Sequence, residues 1–350
     1  MQKRIWYMDN MKALLILLVV IGHATQISSA KSGSTILTYN IYLFHMPLFI
    51  AAAGYFSKRV YRTGEFPRQK AMGFLLLYLL LKTLNFCLDR WLVGAFVPAY
   101  QNARLFFLTA SNAPWYLAAM IWWMLFTAML GSLNTEKRRL QPGLLLILVT
   151  LAGIFIGYDH QAGDFLVFLR AIVFYPFFFA GVIFRPEWLE KLRRPVLRRA
   201  ALAVLIVVFV LVSCFHSYFA VFSQLNSGRH LYENIAAIPS GWGGLYRLAH
   251  YLLASLIGLC IVAVMPNRRI PVLTTLGART LQVYFWQSVV FPVINHLGWT
   301  IFLYKAMPLP LFVLCAAALA LLLAWKPLGL PLHALMKPRL PGFLRLKGDG

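Results

Sequence analysis

The sequence predicts an all-α, polytopic integral membrane protein of about ten transmembrane helices with both termini on the cytoplasmic side, and three observations predict it. Apolar segments of roughly 20 residues, the length that crosses bilayer hydrocarbon, recur along the chain. Hydrophobic residues make up 61% and charged ones 12%, with a mean hydropathy of +0.71. A chain of 350 residues with that balance cannot hide its apolar surface in one water-soluble core. Finally, the connecting segments alternate between rich and poor in Lys and Arg, as in a chain threaded back and forth across a membrane.

The first span, 11–29, follows a basic start and holds the apolar run Ala13 to Ile21, with the small residues Ser28, Ser29 and Ala30 at and just past its end. That outline resembles a cleavable signal peptide, but polar residues at both ends of the helix favour a retained span. Spans 38–56, 71–93 and 114–132 follow, and the fifth, 143–158, is short. The sixth, 165–184, carries Arg170, and 200–221 and 246–265 are the next two. The ninth, 281–302, contains Pro292, which a membrane helix accommodates with a kink. The tenth is 308–325. No repeat or low-complexity segment divides the chain, so the expectation is one membrane-embedded domain, 1–335, and a short basic cytoplasmic tail, 336–350.

Orientation follows from the cations. With the N-terminus inside, 25 of the 33 Lys and Arg fall on inner segments and six on outer ones, and Lys82 and Arg170 lie within spans. The same distribution argues against nucleic acid as the partner of the +23 net charge. The basic residues form short runs suited to anionic lipid headgroups rather than one basic face. Cys87, Cys214, Cys260 and Cys315 sit singly in apolar stretches, which indicates packing and neither a disulfide framework nor a metal site.

Ionisable groups inside a membrane are costly, so each is a functional candidate. Lys12 and His23 are 11 residues apart, about 20° from sharing a helix face and about 16 Å apart along the axis. Asp9 lies about 40° from the same stripe. If the polar turn 30–37 closes a hairpin, His45 on the second span reaches the depth of His23, and Arg170, entering from the outer side, falls in that layer too. Histidine suits general-base work near neutral pH. The residues alone fit a proton-coupled transporter or flippase equally well. His216, His250 and His296 read as packing residues, while His160 and His230 fall on outer loops. The longest outer loop, 222–245, mixes Arg229, His230, Tyr232, Glu233 and Trp242 with glycines, which suits a polyhydroxylated ligand or an ordinary solvated loop.

The opening RIWYMDNMKALLILLVVIGH resembles the start of the acyltransferase 3 family of membrane O-acyltransferases, especially its branch of fucose 4-O-acetylases and related acetyltransferases. That family begins with a basic residue, ten residues and then His, matched by Lys12 and His23, with an acidic residue before them matched by Asp9. FHMPLFIAAAGYF (44–56) is similar to its second-helix motif through His45, Pro47 and Gly54. PWYL (114–117) resembles the start of its fourth helix. RAIVFYPFFFAGVIF (170–184) is similar to its Arg-led segment through Arg170, Pro176 and Gly181. Two departures stand out. Gln287 occupies the place where the family often has His after a Tyr, and the basic pair before the third helix is only loosely met by Arg68 and Lys70.

The resemblance implies a stand-alone, multi-pass enzyme of the cell membrane, in the usual setting a bacterial inner membrane. It would move an acyl group, usually acetyl, from cytoplasmic acetyl-CoA to a hydroxyl of a surface or exported glycan. His23, His45 and Arg170 would then be catalytic. Asp9, Lys12, Arg68 and Lys70 would hold the donor at the cytoplasmic mouth, with no metal required.

Overall fold

The structure, a computed structural model, describes residues 6–27, 32–102, 104–109, 114–134, 140–161, 163, 165–239 and 241–338. The tail expected at 336–350 lies outside the described residues from 339 onward. The helices are α1 (Trp6–Ile27), α2 (Ser32–Tyr42), α3 (His45–Tyr55), α4 (Lys58–Thr63), α5 (Arg68–Cys87), α6 (Trp115–Leu133), α7 (Pro142–Phe155), α8 (Phe168–Ile183) and α9 (Pro186–Leu192). They continue with α10 (Pro195–Cys214), α11 (His216–Leu225), α12 (Gly243–Val264), α13 (Pro271–Ala278), α14 (Thr280–His296), α15 (Trp299–Ala306), α16 (Leu309–Leu323) and α17 (Leu330–Leu335). Apart from one isolated bridge, Thr109 to Phe165, no strand pairing occurs among the described residues, and the chain is an all-α polytopic membrane protein.

Each expected segment is helical, but several are divided where backbone chemistry requires it. Among the described residues, six helical stretches are long and apolar enough to cross a membrane, or up to eight if each of two bent pairs is one span. The second segment breaks between α2 and α3. Pro47 has no N–H to offer the carbonyl of Leu43 and its ring clashes with that carbonyl, so a new helix starts with Pro47 in its first turn. The sixth turns by 91° from α8 into α9, because Arg185, preceding Pro186, is held extended. The ninth keeps Pro292 inside α14 and divides at Gly298, whose φ of +76° precedes α15.

Two crossings fix the bundle. A Cβ on Gly54 would lie 1.9 Å from the Phe178 carbonyl oxygen, and one on Gly181 would lie 1.9 Å from that of Ala51 and 3.0 Å from the Tyr55 nitrogen. The backbones of α3 and α8 therefore touch, and only glycine permits it. The second crossing sets Gly277 against the backbone of Asp9, 1.8 Å from a built Cβ to the carbonyl oxygen. Phe291 then packs against His23. Both intervals are 14 residues, so the α13–α14 rod runs parallel to α1 in matched register.

These crossings give the bundle two distinct ends. At one, the basic end, α1 begins and α3, α8 and α12 finish. Asn10 donates to the carbonyls of Pro266 (3.0 Å) and Arg268 (2.9 Å), Lys58 donates to the Phe184 carbonyl, and Arg198 donates to that of Val264. The aromatic core lies between the ends. Trp123, fully buried, donates to the Ala171 carbonyl at 2.9 Å and packs on Phe178.

Candidate functional site

The polar stripe of α1 is present as a string of three features. At the basic end Asp9 and Lys12 pair at 3.0 Å, one turn apart, and the Lys12 ammonium also lies 5.2 Å above the Phe56 ring. Further along the same face, Ile16 and Val19 are 0% and 4% exposed, so the stripe is sealed between its ends. His23 follows about 16 Å above Lys12. Its ring keeps partial exposure, and among the described residues no hydrogen bond reaches either ring nitrogen.

His23 and His45 flank a single aromatic ring. Tyr42 meets His23 edge-on at 6.5 Å between centroids and His45 at 4.7 Å, while Phe291 covers His23 at 6.3 Å. Gly22 makes this possible, because a Cβ there would lie 2.9 Å from Tyr42 Cε2. The Tyr42 hydroxyl donates to Gln26 Oε1 at 2.8 Å. Behind it Thr38 donates to the Thr25 hydroxyl (3.0 Å) and Ser34 to the Thr25 carbonyl (2.8 Å), all buried, which locks α2 against α1. The helix break gives His45 a fixed tautomer. Its Nδ1 lies 2.9 Å from the Ile41 carbonyl, an oxygen that only accepts, so Nδ1 carries the proton and Nε2 the lone pair.

Arg170 is buried near the start of α8, on another wall of the bundle. Its neighbours are aromatic. The guanidinium lies 5.1 Å over the Trp115 ring, which stacks on Phe174 at 5.4 Å, and it interacts electrostatically with Tyr284. Its helix starts from a strained turn. Leu166 and Val167 have φ of +47° and +55°, rare for such side chains. The turn is held by Leu166 N–H to the Leu108 carbonyl (2.6 Å) and Trp122 Nε1 to the Leu166 carbonyl (2.9 Å).

The remaining candidates are placed less centrally. Arg68 is exposed and Lys70 half-buried on the first turn of α5, one short helix beyond Phe56 at the basic end. Gln287 is buried and donates to the Ser288 hydroxyl at 3.0 Å. In the long loop Tyr232 turns inward, donating to the Ile154 carbonyl at 2.7 Å, while Glu233 and His160 pair at 2.7 Å on the surface. Arg247, fully buried, donates to the Leu225 carbonyl at 2.6 Å and anchors that loop.

One cluster escaped the sequence reading. His296, expected to be packing, pairs through Nδ1 with Asp89 at 3.0 Å and stacks on Tyr100 at 4.3 Å. Burial, and secondarily the Asp89 charge, pushes the Tyr100 hydroxyl up from its ordinary range. Asp89 sits on a π-helical turn, Leu88–Val93, a feature frequent at functional sites. The only hint in the sequence was the scarcity of acidic residues, ten in all. No group of three or more His, Cys, Asp or Glu suited to hold a metal occurs among the described residues.

Comparison with known families matches residues 5–327 to the acyltransferase 3 family, described as an acyltransferase domain. No curated protein and no solved structure matches the chain.

Proposed function

Since the chain belongs to the acyltransferase 3 family and is a multi-pass membrane acyltransferase, we propose that it transfers an acyl group, in the first instance acetyl, from acyl-CoA at the basic end to a hydroxyl of a cell-surface or exported glycan at the opposite end. The observation that carries this reading is the division of α1, with a cation–carboxylate pair at one end and an accessible histidine about 16 Å away at the other. Positive-inside logic assigns the basic end to the cytoplasm, where the donor is made.

In this reading Lys12, steered by Asp9, meets the donor's phosphates with charge-assisted hydrogen bonds, and Arg68 and Lys70 add positive charge around the mouth. The pantetheine arm carries the thioester inward past Ile16 and Val19, which must part to admit it. At the far end the acceptor hydroxyl attacks the thioester carbonyl. The new C–O bond forms as His23 takes the hydroxyl proton, the C–S bond breaks, and the proton passes to the departing thiolate. His45 holds Tyr42, and thereby the acceptor side of His23, in position, while Arg170 in its aromatic nest stabilises negative charge developing on the carbonyl oxygen.

The test compares His23→Ala with wild type in purified membranes supplied with labelled acetyl-CoA. Loss of label transfer to envelope glycan by 10²-fold or more, with an unchanged melting temperature, is expected. Near-normal turnover would remove His23 as the base. Solute uptake into liposomes driven by a pH gradient, without acetyl-CoA binding, would replace the enzyme reading with a transporter.

A further inference from the structure

Away from the α1 stripe, two cavities meet at the basic end. One, of about 240 Å³, lies between α1, α3, α8 and α12 and is lined almost wholly by apolar groups. It opens sideways past Ser255 and Leu259, both exposed on the outer face of α12. The other, of about 520 Å³, has a larger polar share and includes Glu190, Arg193 and Asn267. Tyr7 and Tyr55 line both, so they form one cleft, apolar in its depth and more polar at its mouth.

A cation packs on each of the two shared tyrosines. Arg193 lies 5.8 Å over the Tyr7 ring, and its Nη1 is buried with no hydrogen-bond partner among the described residues. Leaving such a guanidinium nitrogen unmet is costly. Lys58, outside the lining, lies 3.8 Å over the Tyr55 ring and donates to the Phe184 carbonyl, and both of those residues line the apolar cavity. Burial pushes both cations below their ordinary ranges; Arg198 adds to this for Arg193, and the Glu187 carboxylate partly offsets it for Lys58. Glu190, exposed, is the only carboxylate lining the mouth among the described residues. The floor of the mouth is α9, which leaves α8 at 91° and so lies along the membrane surface, with Trp188 exposed as at a lipid interface.

We propose that this cleft is a binding site for an anionic phospholipid, with one acyl chain in the apolar cavity and the phosphate against Arg193 at the mouth, Lys58 adding positive charge from behind Tyr55. The chain enters from a bilayer already as apolar as the cavity, so it contributes fit rather than net driving force. The selectivity comes from the phosphate meeting an unpartnered guanidinium in a low-dielectric mouth. At about 240 Å³, the cavity takes part of one chain.

The full-length protein, purified in detergent, is exposed to equal phosphatidylglycerol and phosphatidylcholine, and retained lipid is weighed by native mass spectrometry. Wild type should retain phosphatidylglycerol about tenfold over phosphatidylcholine. Arg193→Gln and, separately, Lys58→Gln should bring the ratio toward one. Gly258→Leu has room for its first carbon, 3.5 Å from the nearest atom. It fills the cavity and should lower retention of both lipids with melting unchanged. Equal retention by wild type, or an unaltered ratio in both cation variants, overturns the proposal. Stabilisation by inorganic phosphate as large as that by phosphatidylglycerol would make it a free-anion site. Displacement of the lipid by acetyl-CoA, with a parallel loss of acetyl-CoA affinity in Arg193→Gln, would assign the cleft to the donor, and either result sinks the lipid reading.

Discussion

Adding one methyl group at Gly22 tests whether the geometry around Tyr42 is functional or merely packed. In Gly22→Ala the new carbon would stand 2.9 Å from Tyr42 Cε2 and 3.3 Å from Ile41 Cγ2. Ordinary carbon–carbon contacts are about 3.5–4.0 Å, so the Tyr42 ring must withdraw by about 0.6–1 Å, carrying the surface that lies between His23 and His45. Overpacking of this kind costs about 1–3 kcal/mol, which a folded bundle can survive. Misplacement of a reacting group by about 1 Å costs about 10²-fold in rate, so turnover should fall roughly 30- to 100-fold. The assay is label transfer from acetyl-CoA in membranes, normalised to folded protein, alongside melting of the purified variant. Adding Tyr42→Leu to Gly22→Ala removes the clash, so the melting temperature should recover while turnover does not. Full turnover in folded Gly22→Ala, or recovery of both properties in the double variant, would refute a role for the His23–Tyr42–His45 arrangement.

Four further outcomes are expected. Lys12→Met should raise the KM for acetyl-CoA by about 10- to 100-fold, the worth of one charge-assisted contact, with little change in melting, and Lys12→Arg should restore most of it. Gly181→Leu drives a side chain into the Ala51 carbonyl and should abolish the folded protein or lower its stability by 3 kcal/mol or more, read by melting and by yield. Burial lowers the Lys58 pKa in the folded chain, so the unfolded chain holds that proton more tightly. Stability should therefore rise as pH climbs from the folded value toward the ordinary lysine value, and Lys58→Met should remove that part of the slope in alkaline melts. His296→Ala leaves Asp89 half-buried without its imidazole; it should lower melting modestly, and a loss of turnover beyond that would add the pair to the acceptor side of the site.

Much of this architecture was legible because the bilayer imposes it. Every apolar stretch became helix, since lipid offers backbone groups no other partner, and the α1 stripe followed from helical periodicity alone. The shared depth of His23 and His45 was legible too, although the reason differs. The hairpin count assumed one continuous second helix, whereas Pro47 breaks it and makes His45 the first residue of α3. What could not be read is long-range. His296 meets a carboxylate 207 residues away, and the strained entry to α8 depends on a carbonyl at Leu108. The glycines at 54 and 181 stood out as motif letters, but their meaning, two backbones in contact, needs both helices in view. Arg68 and Lys70 were grouped with Lys12 by charge and by a loosely met family motif; the fold puts them at the same end on a different helix.

The buried pair Ile16 and Val19 has a consequence for the cell as well as for the reaction. A protein with ionisable groups facing both sides of a coupling membrane is a potential short circuit. Two branched hydrocarbon side chains between Lys12 and His23 exclude the water file along which protons or ions would run. If they part only around a bound donor, the donor's own body takes over as the insulator, and the chemistry can cross the membrane while its voltage does not. Shaving both to alanine would therefore show first as a proton leak across vesicles that hold the protein.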